Sequence, residues 1–230
     1  MFWIDYWYLV LVVPALLIAL FAQIKVQSTF KKYSRIGTRS GLSGAEASLN
    51  IQRQNDIHVP LEQVKGSMTD HYDPRSNVIC LSETVYGVRS IAAIGVAAHE
   101  TGHALQYEKG YGPIKIRSAI LPATQFATTL SPYMILIGLI TLIEWLTVAG
   151  VAFFGLSVVF QLLTLPVEFN ASSRALKALG DGGLLTSEEL EGARRVLSAA
   201  AMTYVAALFV SLMSLIRLII LFGGRGRRNR

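Results

Sequence analysis

The sequence is poor in cysteine and in charged residues. Its single cysteine, Cys80, excludes an internal disulfide framework and a metal site built from several thiolates. Charged residues make up only 16% of the 230 residues, against the ~25% usual for soluble domains, whereas hydrophobic residues make up 52%. This composition excludes intrinsic disorder. The apolar residues are concentrated in four blocks, which predicts a mainly α-helical, polytopic membrane protein.

Each apolar block is long enough to cross a bilayer as a helix. The blocks lie near residues 3–22, 123–142, 146–165 and 201–222, and about 20 helical residues span the hydrocarbon layer. We interpret the first block as an uncleaved anchor rather than a signal peptide, because no Lys or Arg precedes it and it is longer than a typical signal core. Glu144 marks the expected turn between the second and third blocks.

The basic residues predict the orientation in the membrane. Residues 23–118 hold twelve Lys and Arg and residues 166–198 hold four, whereas the start of the chain and the turn near Glu144 hold none. By the positive-inside rule, both polar segments are expected on the cytoplasmic side of the cell membrane. Four full crossings would place the basic C-terminal tail outside, against that rule, so a re-entrant fourth block stays an alternative. The net charge of +6 is therefore attributed to orientation, and no nucleic-acid partner is expected.

Polar residues mark where helices begin in the two polar segments. Ser43 and Glu46 have the spacing of a capping box, which predicts a helix directly after Ser43. Thr186 and Glu189 repeat this spacing, and the helix that they begin is expected to continue into the fourth apolar block. Ser90 precedes a further predicted helix with the sequence IAAIGVAAHETGHALQYE.

A turn sequence between two β-prone runs comes before that helix. Residues 73–76, Asp-Pro-Arg-Ser, separate the runs 68–72 and 77–81, a pattern typical of a small β-hairpin. We interpret the second run as an edge strand that pairs with an extended substrate, and an ordinary structural strand is the equal alternative. The residues that this pairing would use are Asn77, Val78 and Ile79. His71 is a further candidate, which could donate a hydrogen bond to the oxyanion or contact a group next to the metal ligands. A structural role of His71 in the turn is favoured.

The segment HETGH carries the clearest chemical signal. On a helix, His99 and His103 lie four residues apart on one face, so both imidazoles can reach one zinc ion. Glu100 lies beside them and is placed to act as the general base of a metalloprotease. Two exposed histidines on an amphipathic helix would be the alternative, but the flanking sequences IAAIGVAA and ALQ predict a buried helix. Two buried histidines beside a buried glutamate need a role that satisfies their polar atoms.

A catalytic zinc ion needs a third protein ligand and an open fourth position. No histidine follows His103, so a downstream carboxylate is expected. We favour Glu168, because it lies on a mostly apolar helix expected over residues 165–179, where an unpaired carboxylate would be unfavourable. A salt bridge to Arg174 is the alternative or additional role of Glu168. The expected cofactor is one Zn²⁺ per chain in a zincin-like, gluzincin-like ligand set.

The combination of HETGH and VEFNASSRA, 65 residues later, resembles the bacterial neutral zinc metallopeptidases of the YugP type, a family of membrane proteases. The stretch from Asp70 to Gln106 and the order of apolar blocks are similar to that family over essentially the whole chain. The resemblance implies that His99, His103 and Glu168 bind zinc and that Glu100 is catalytic. HExxH with an E-x-x-A pattern is more distantly similar to the HtpX-type and prenyl-CAAX-processing proteases. Those carry an Asp after the Ala, where this chain has Ser172.

The sequence therefore predicts a single membrane-embedded zinc endopeptidase domain over residues 1–230, with catalytic segments 23–118 and 166–198. Its expected partners are the lipid bilayer and protein or peptide substrates near the membrane. Two alternatives are a non-catalytic scaffold stabilised by zinc and a zinc hydrolase of a non-peptide ester.

Overall fold

We describe residues 5–223 from a computed structural model of the chain. This part of the protein is mainly helical and contains a small sheet. A π-helical turn at Tyr8–Val12 leads into the first helix. The helices are α1 (Val13–Tyr33), α2 (Gly44–Gln54), α3 (Ile91–Glu108), α4 (Gly112–Ile140), α5 (Glu144–Asp181) and α6 (Ser187–Phe222), and the strands are β1 (Leu61–Val64), β2 (His71–Asp73) and β3 (Val78–Ser82).

Within residues 5–223, four helical segments are long and apolar enough to cross a membrane. They are Tyr8–Tyr33, Gly112–Ile140, Glu144–Asp181 and Ser187–Phe222. The turn between the second and third segments lies at residues 141–143, directly before the expected Glu144. The helix expected over residues 165–179 is not separate, because α5 continues through Pro166. A proline inside a helix removes one backbone hydrogen bond, and α5 continues despite this loss.

The chain folds into two compact units. Among the described residues, the polar unit comprises Gln23–Lys115 and Pro166–Met202, and the apolar unit comprises 5–22, Ile116–Leu165 and 203–223. The basic tail at residues 225–230 lies outside the part of the chain that the structure describes.

Helix α3 lies at the centre of the polar unit and is buried on two sides. One side, which includes Ile94 and Ala98, packs in a core with residues of α2, α5 and α6. Another side, which includes Ala97 and Ala104, packs in a second core with residues of β3. A helix that is apolar around most of its circumference is stable only when it is enclosed in this way.

The predicted caps are confirmed. The Ser43 hydroxyl accepts from the Glu46 backbone N–H, and the Glu46 carboxylate accepts from the Ser43 backbone N–H, which completes the capping box of α2. Thr186 and Glu189 exchange the same pair of hydrogen bonds at the start of α6, which runs unbroken to Phe222. The Ser90 hydroxyl accepts from the third backbone N–H after it and so begins α3.

The sheet has the strand order β1–β3–β2, with β1 parallel and β2 antiparallel to β3. The hairpin between β2 and β3 is confirmed, and the Asp73 carboxylate closes its turn by accepting from the Arg75 backbone N–H and the Ser76 hydroxyl. The expectation of an edge strand at residues 77–81 is wrong. Because β1 and β2 pair with β3 on its two sides, the backbones of Val78 and Ile79 have no open edge for a substrate.

In the apolar unit, some polar side chains form hydrogen bonds to a neighbouring helix. The Ser131 hydroxyl of α4 donates to the Gly150 carbonyl of α5 at 2.8 Å, and the Gln161 amide of α5 donates to the Ser211 hydroxyl of α6 at 2.8 Å. Arg217, near the end of α6, forms an ion pair with Asp5. Pairing of this kind is expected for a charge in an apolar helix bundle.

Candidate metal centre

The two motif histidines project from the same face of α3. Their rings lie 4.8 Å apart between centroids and meet edge to face. Each Nε2 atom points towards Glu168 of α5, whose Oε2 lies 3.3 Å from His99 and 3.5 Å from His103. His103 and Glu168 are buried, His99 is partly buried, and the candidate ligand atoms of the three side chains all lie within 4.8 Å of one another. The structure therefore brings the three expected ligands together.

The donor set and its spacing fit a zinc ion. Two imidazole nitrogens and one carboxylate oxygen form a ligand set of catalytic zinc sites. Ligand atoms about 2.0–2.2 Å from a tetrahedral ion lie about 3.3–3.5 Å from each other. The separations between Glu168 and the two histidines already match this range, so little movement is needed for Glu168 to bind the same ion as both imidazoles.

The electrostatic environment also favours a cation. Burial would lower the pKa of His103, but the hydrogen bond to Glu168 and the charges of Glu100 and Glu168 outweigh burial and raise this pKa. Surroundings that stabilise a positive charge on an imidazole stabilise a bound cation by the same interaction.

Glu100 follows His99 on α3 and is 8% exposed. Among residues 5–223, its carboxylate has no hydrogen-bonding or ion-pair partner. A buried carboxylate without a protein partner is unfavourable, unless water or a substrate group supplies the interaction. This arrangement leaves Glu100 available for proton transfer beside the three grouped side chains.

The other nitrogen of each histidine also has a partner. His103 Nδ1 lies 3.0 Å from Gln106 Oε1, and His99 Nδ1 lies 3.1 Å from the Ser172 hydroxyl. The Gln106 amide donates to the Val167 carbonyl at 2.8 Å and to Asn170 Oδ1 at 3.0 Å. Neither Gln106 nor Asn170 was predicted from the sequence. Ser172, which stands where the distant relatives carry Asp, lies against a candidate zinc ligand.

Close packing of α3 on α5 makes these contacts geometrically feasible. Gly102, inside the motif, lies so near α5 that an added Cβ would be 2.6 Å from the Ala171 carbonyl oxygen. Ala171 is itself fully buried. The glycine and the alanine therefore allow the two backbones to approach, and they bring Glu168 within reach of both histidines.

Three of the remaining predicted site residues do not contact the candidate ligands directly. His71 is exposed in β2, where its Nδ1 lies 2.9 Å from the Thr69 carbonyl oxygen. Asn77 has a left-handed backbone with φ of 53° and accepts a hydrogen bond from the Tyr72 hydroxyl. Arg174 does not form the expected salt bridge with Glu168. Its Nε donates instead to Asn170 Oδ1 at 2.7 Å.

Two comparisons with known proteins found matches over most of the chain. Residues 8–223 match the model of a family described as "Putative neutral zinc metallopeptidase". The chain is 46% identical over 216 residues to the "Putative membrane protease YugP" of Bacillus subtilis (strain 168), covering 94% of this chain and 96% of that protein. No solved structure matches the chain.

Proposed function

Because the chain belongs to the neutral zinc metallopeptidase family, we propose that it is a membrane-embedded zinc endopeptidase acting on proteins or peptides near the bilayer. The observation that carries this proposal is the convergence of His99, His103 and Glu168 from two helices, with the unpartnered Glu100 beside them. A structural zinc site would need a fourth protein ligand, whereas three ligands with a free carboxylate beside them are the arrangement of a catalytic site.

The residues of the site have distinct roles in the proposed reaction. His99 Nε2, His103 Nε2 and a Glu168 carboxylate oxygen would hold one Zn²⁺ per chain. When bound, this ion would lower the pKa of a coordinated water to about 7 and polarise the scissile carbonyl. Glu100 accepts a proton from the attacking water and returns it to the amine nitrogen as the peptide bond breaks.

We further propose four full membrane crossings, with both polar segments on the cytoplasmic side. Two observations support α6 as a complete crossing rather than a re-entrant segment. The helix is unbroken from Ser187 to Phe222, and Arg217 near its end pairs with Asp5 at the start of the first crossing. The start of the first crossing and the end of the fourth crossing then lie on the same side of the membrane, as an even number of crossings requires. A reporter that is active only outside the cytoplasm should be active when it is fused to the turn at residues 141–143. Activity of the same reporter fused within residues 23–118 would contradict this orientation.

Substrates near the membrane are proposed because Glu168 lies three residues beyond the apolar stretch 146–165 on the same continuous helix. Helix α5 begins in the apolar unit and continues into the polar unit, and α6 begins in the polar unit and continues into the apolar unit. We therefore propose that the whole chain is one functional domain.

The test is cleavage of unfolded casein by detergent-purified protein. Wild type, Glu100→Gln and the control Glu108→Gln are compared at equal zinc content; Glu108 is an exposed glutamate at the end of the same helix. We expect wild type and the control to cut, and a zinc chelator to stop both. Loss of the general base should slow Glu100→Gln by about 10²–10⁴-fold.

Two outcomes would contradict the proposal in different ways. Equal cleavage by Glu100→Gln would remove the assigned role of Glu100 while leaving a zinc protease. No cleavage by wild type that binds one zinc ion per chain would count against a general endopeptidase and favour the scaffold or a non-peptide hydrolase, which an ester panel then separates.

A further inference from the structure

We propose that Gln106, Asn170 and Arg174 are positioning residues that form a hydrogen-bond network with a fixed donor and acceptor at each contact, which holds the proton of His103 on Nδ1 and reserves Nε2 for zinc. This inference rests on the zinc-binding part of the proposed function but not on peptidase activity. The network has three contacts: Arg174 and Gln106 both donate to Asn170 Oδ1, and His103 Nδ1 lies against Gln106 Oε1.

The donor and the acceptor of each hydrogen bond follow from two groups that can only donate or only accept. An arginine Nε–H can only donate, so the Asn170 atom that faces Arg174 is the oxygen. A backbone carbonyl can only accept, so the Gln106 atom that faces the Val167 oxygen is the amide nitrogen. Gln106 therefore turns its oxygen towards His103, and His103 Nδ1 is the donor.

The consequence for His103 is a fixed tautomer. A neutral imidazole carries one N–H and one lone pair, and a metal binds the lone pair. With the proton on Nδ1, the lone pair is on Nε2, which is the atom that faces Glu168. Gln106 is fully buried, so water cannot replace its oxygen as the acceptor without repacking α3 against α5.

The two histidines differ in this respect. His99 Nδ1 faces the Ser172 hydroxyl, which can donate or accept and so does not by itself dictate the tautomer. The tautomer of His103 is therefore fixed by its hydrogen-bond partner, whereas the tautomer of His99 is less restricted. Ser172→Ala should weaken zinc binding less than loss of Gln106.

The key variant is Gln106→Met, which keeps a long side chain but removes the acceptor and both donors. Its matched control is Gln52→Met. Gln52 is also a buried glutamine of the polar unit, but it accepts from the Val59 backbone N–H and does not contact either histidine. Zinc affinity is measured by competition with a chelator, and thermal unfolding is followed with and without zinc.

We expect Gln106→Met to weaken zinc binding by about 10–100-fold, as loss of a hydrogen bond to a ligand histidine typically does. Gln52→Met should lower the unfolding temperature while leaving zinc affinity unchanged. A merely structural role of Gln106 predicts the opposite pattern, in which both glutamine variants lose stability equally and neither loses zinc affinity.

Asn170 provides a second test in case Gln106→Met does not fold. Asn170→Asp keeps an oxygen that accepts from both Arg174 and Gln106, so zinc affinity should be retained. Asn170→Leu removes that acceptor and should lower the affinity. Wild-type zinc affinity in Gln106→Met, or in Asn170→Leu where the first variant is unfolded, would overturn the inference. Absence of zinc binding in the wild type would instead overturn the proposed function.

Discussion

Gly102→Ala tests the contact between α3 and α5 directly. The added Cβ would lie 2.6 Å from the Ala171 carbonyl oxygen and 3.3 Å from its Cα, whereas ordinary contact begins at 3.4 Å. The neighbouring atoms belong to backbone and cannot rotate away, so the helices must separate by several tenths of an ångström. Overpacking of this kind costs about 1–3 kcal/mol. An alanine also favours helix by about 1 kcal/mol relative to glycine, so the net effect is expected to be destabilising.

The same displacement should affect zinc. Glu168 lies one turn before Ala171 on α5, and ligand distances in metal sites are held to within about 0.2 Å. We expect Gly102→Ala to lower the unfolding temperature and to weaken zinc binding by at least about tenfold, the lower end of the effects seen for outer contacts of metal ligands. Thermal unfolding and chelator competition measure the two effects on the same detergent-purified sample.

Gly95→Ala is the matched control on the same helix. Its added Cβ would lie 3.5 Å from the Ala193 Cβ, which is ordinary contact, so the higher helix propensity of alanine should leave the protein as stable as wild type or slightly more stable. Unchanged zinc affinity and unfolding temperature in Gly102→Ala would refute the packing argument. Equal losses in the two variants would show that the effect is not specific to the contact with α5.

Three further predictions follow from single contacts. Glu168→Gln should lower the zinc content measured by elemental analysis from one ion per chain towards zero, and full occupancy would exclude it as a ligand. Arg217→Met should lower the unfolding temperature more than the double variant with Asp5→Asn, because the single change leaves an unpaired charge; equal temperatures would contradict this. Hydrogen bonds from the backbone and hydroxyl of Ser43 lower the pKa of Glu46, so its contribution to stability is present above pH 4.5 and is lost as the pH falls through the lowered pKa. Thermal unfolding between pH 6 and 3 should therefore show a smaller acid-dependent loss in Glu46→Gln.

The features that the sequence predicted well depend on residues close together in the chain. A capping box requires two residues three positions apart, and both boxes form as expected at Ser43 and Thr186. The turn at residues 73–76 likewise closes through the Asp73 side chain. Such interactions form within one turn of backbone, so their geometry follows from the order of the residues.

The features that were missed depend on pairing between distant segments. Strand β1, at Leu61–Val64, pairs with β3 in parallel, and this pairing makes β3 central rather than an edge. The sequence of β1 contains Glu62 and Gln63 and follows Pro60, so it lacks the β-branched run that marks a strand. Its pairing depends on a partner about 18 residues away, for which the local pattern holds no signal.

The candidate site combines both situations. On α3, His99, Gly102, His103 and Gln106 follow the i, i+3, i+4, i+7 spacing of one helical stripe. This stripe was a signal available in the sequence, since a residue that shares a face with two candidate metal ligands is in position to contact them or their partner helix. Gln106 could therefore have been assigned to the site without a structure.

The partners on α5 could not be assigned in this way, because they depend on how that helix is rotated against α3. Ala171 of α5 faces Gly102 of α3. The polar residues of α5 near Ala171 contact different residues of α3. Glu168 and Ser172, one turn apart, contact His99, whereas Asn170 contacts Gln106 from the other side. A rotation of α5 by one residue, about 100°, would exchange these sides and remove the carboxylate from the histidines. The small residues at the crossing thus determine which side chains of α5 can reach the two histidines, although they have no ligand atoms themselves.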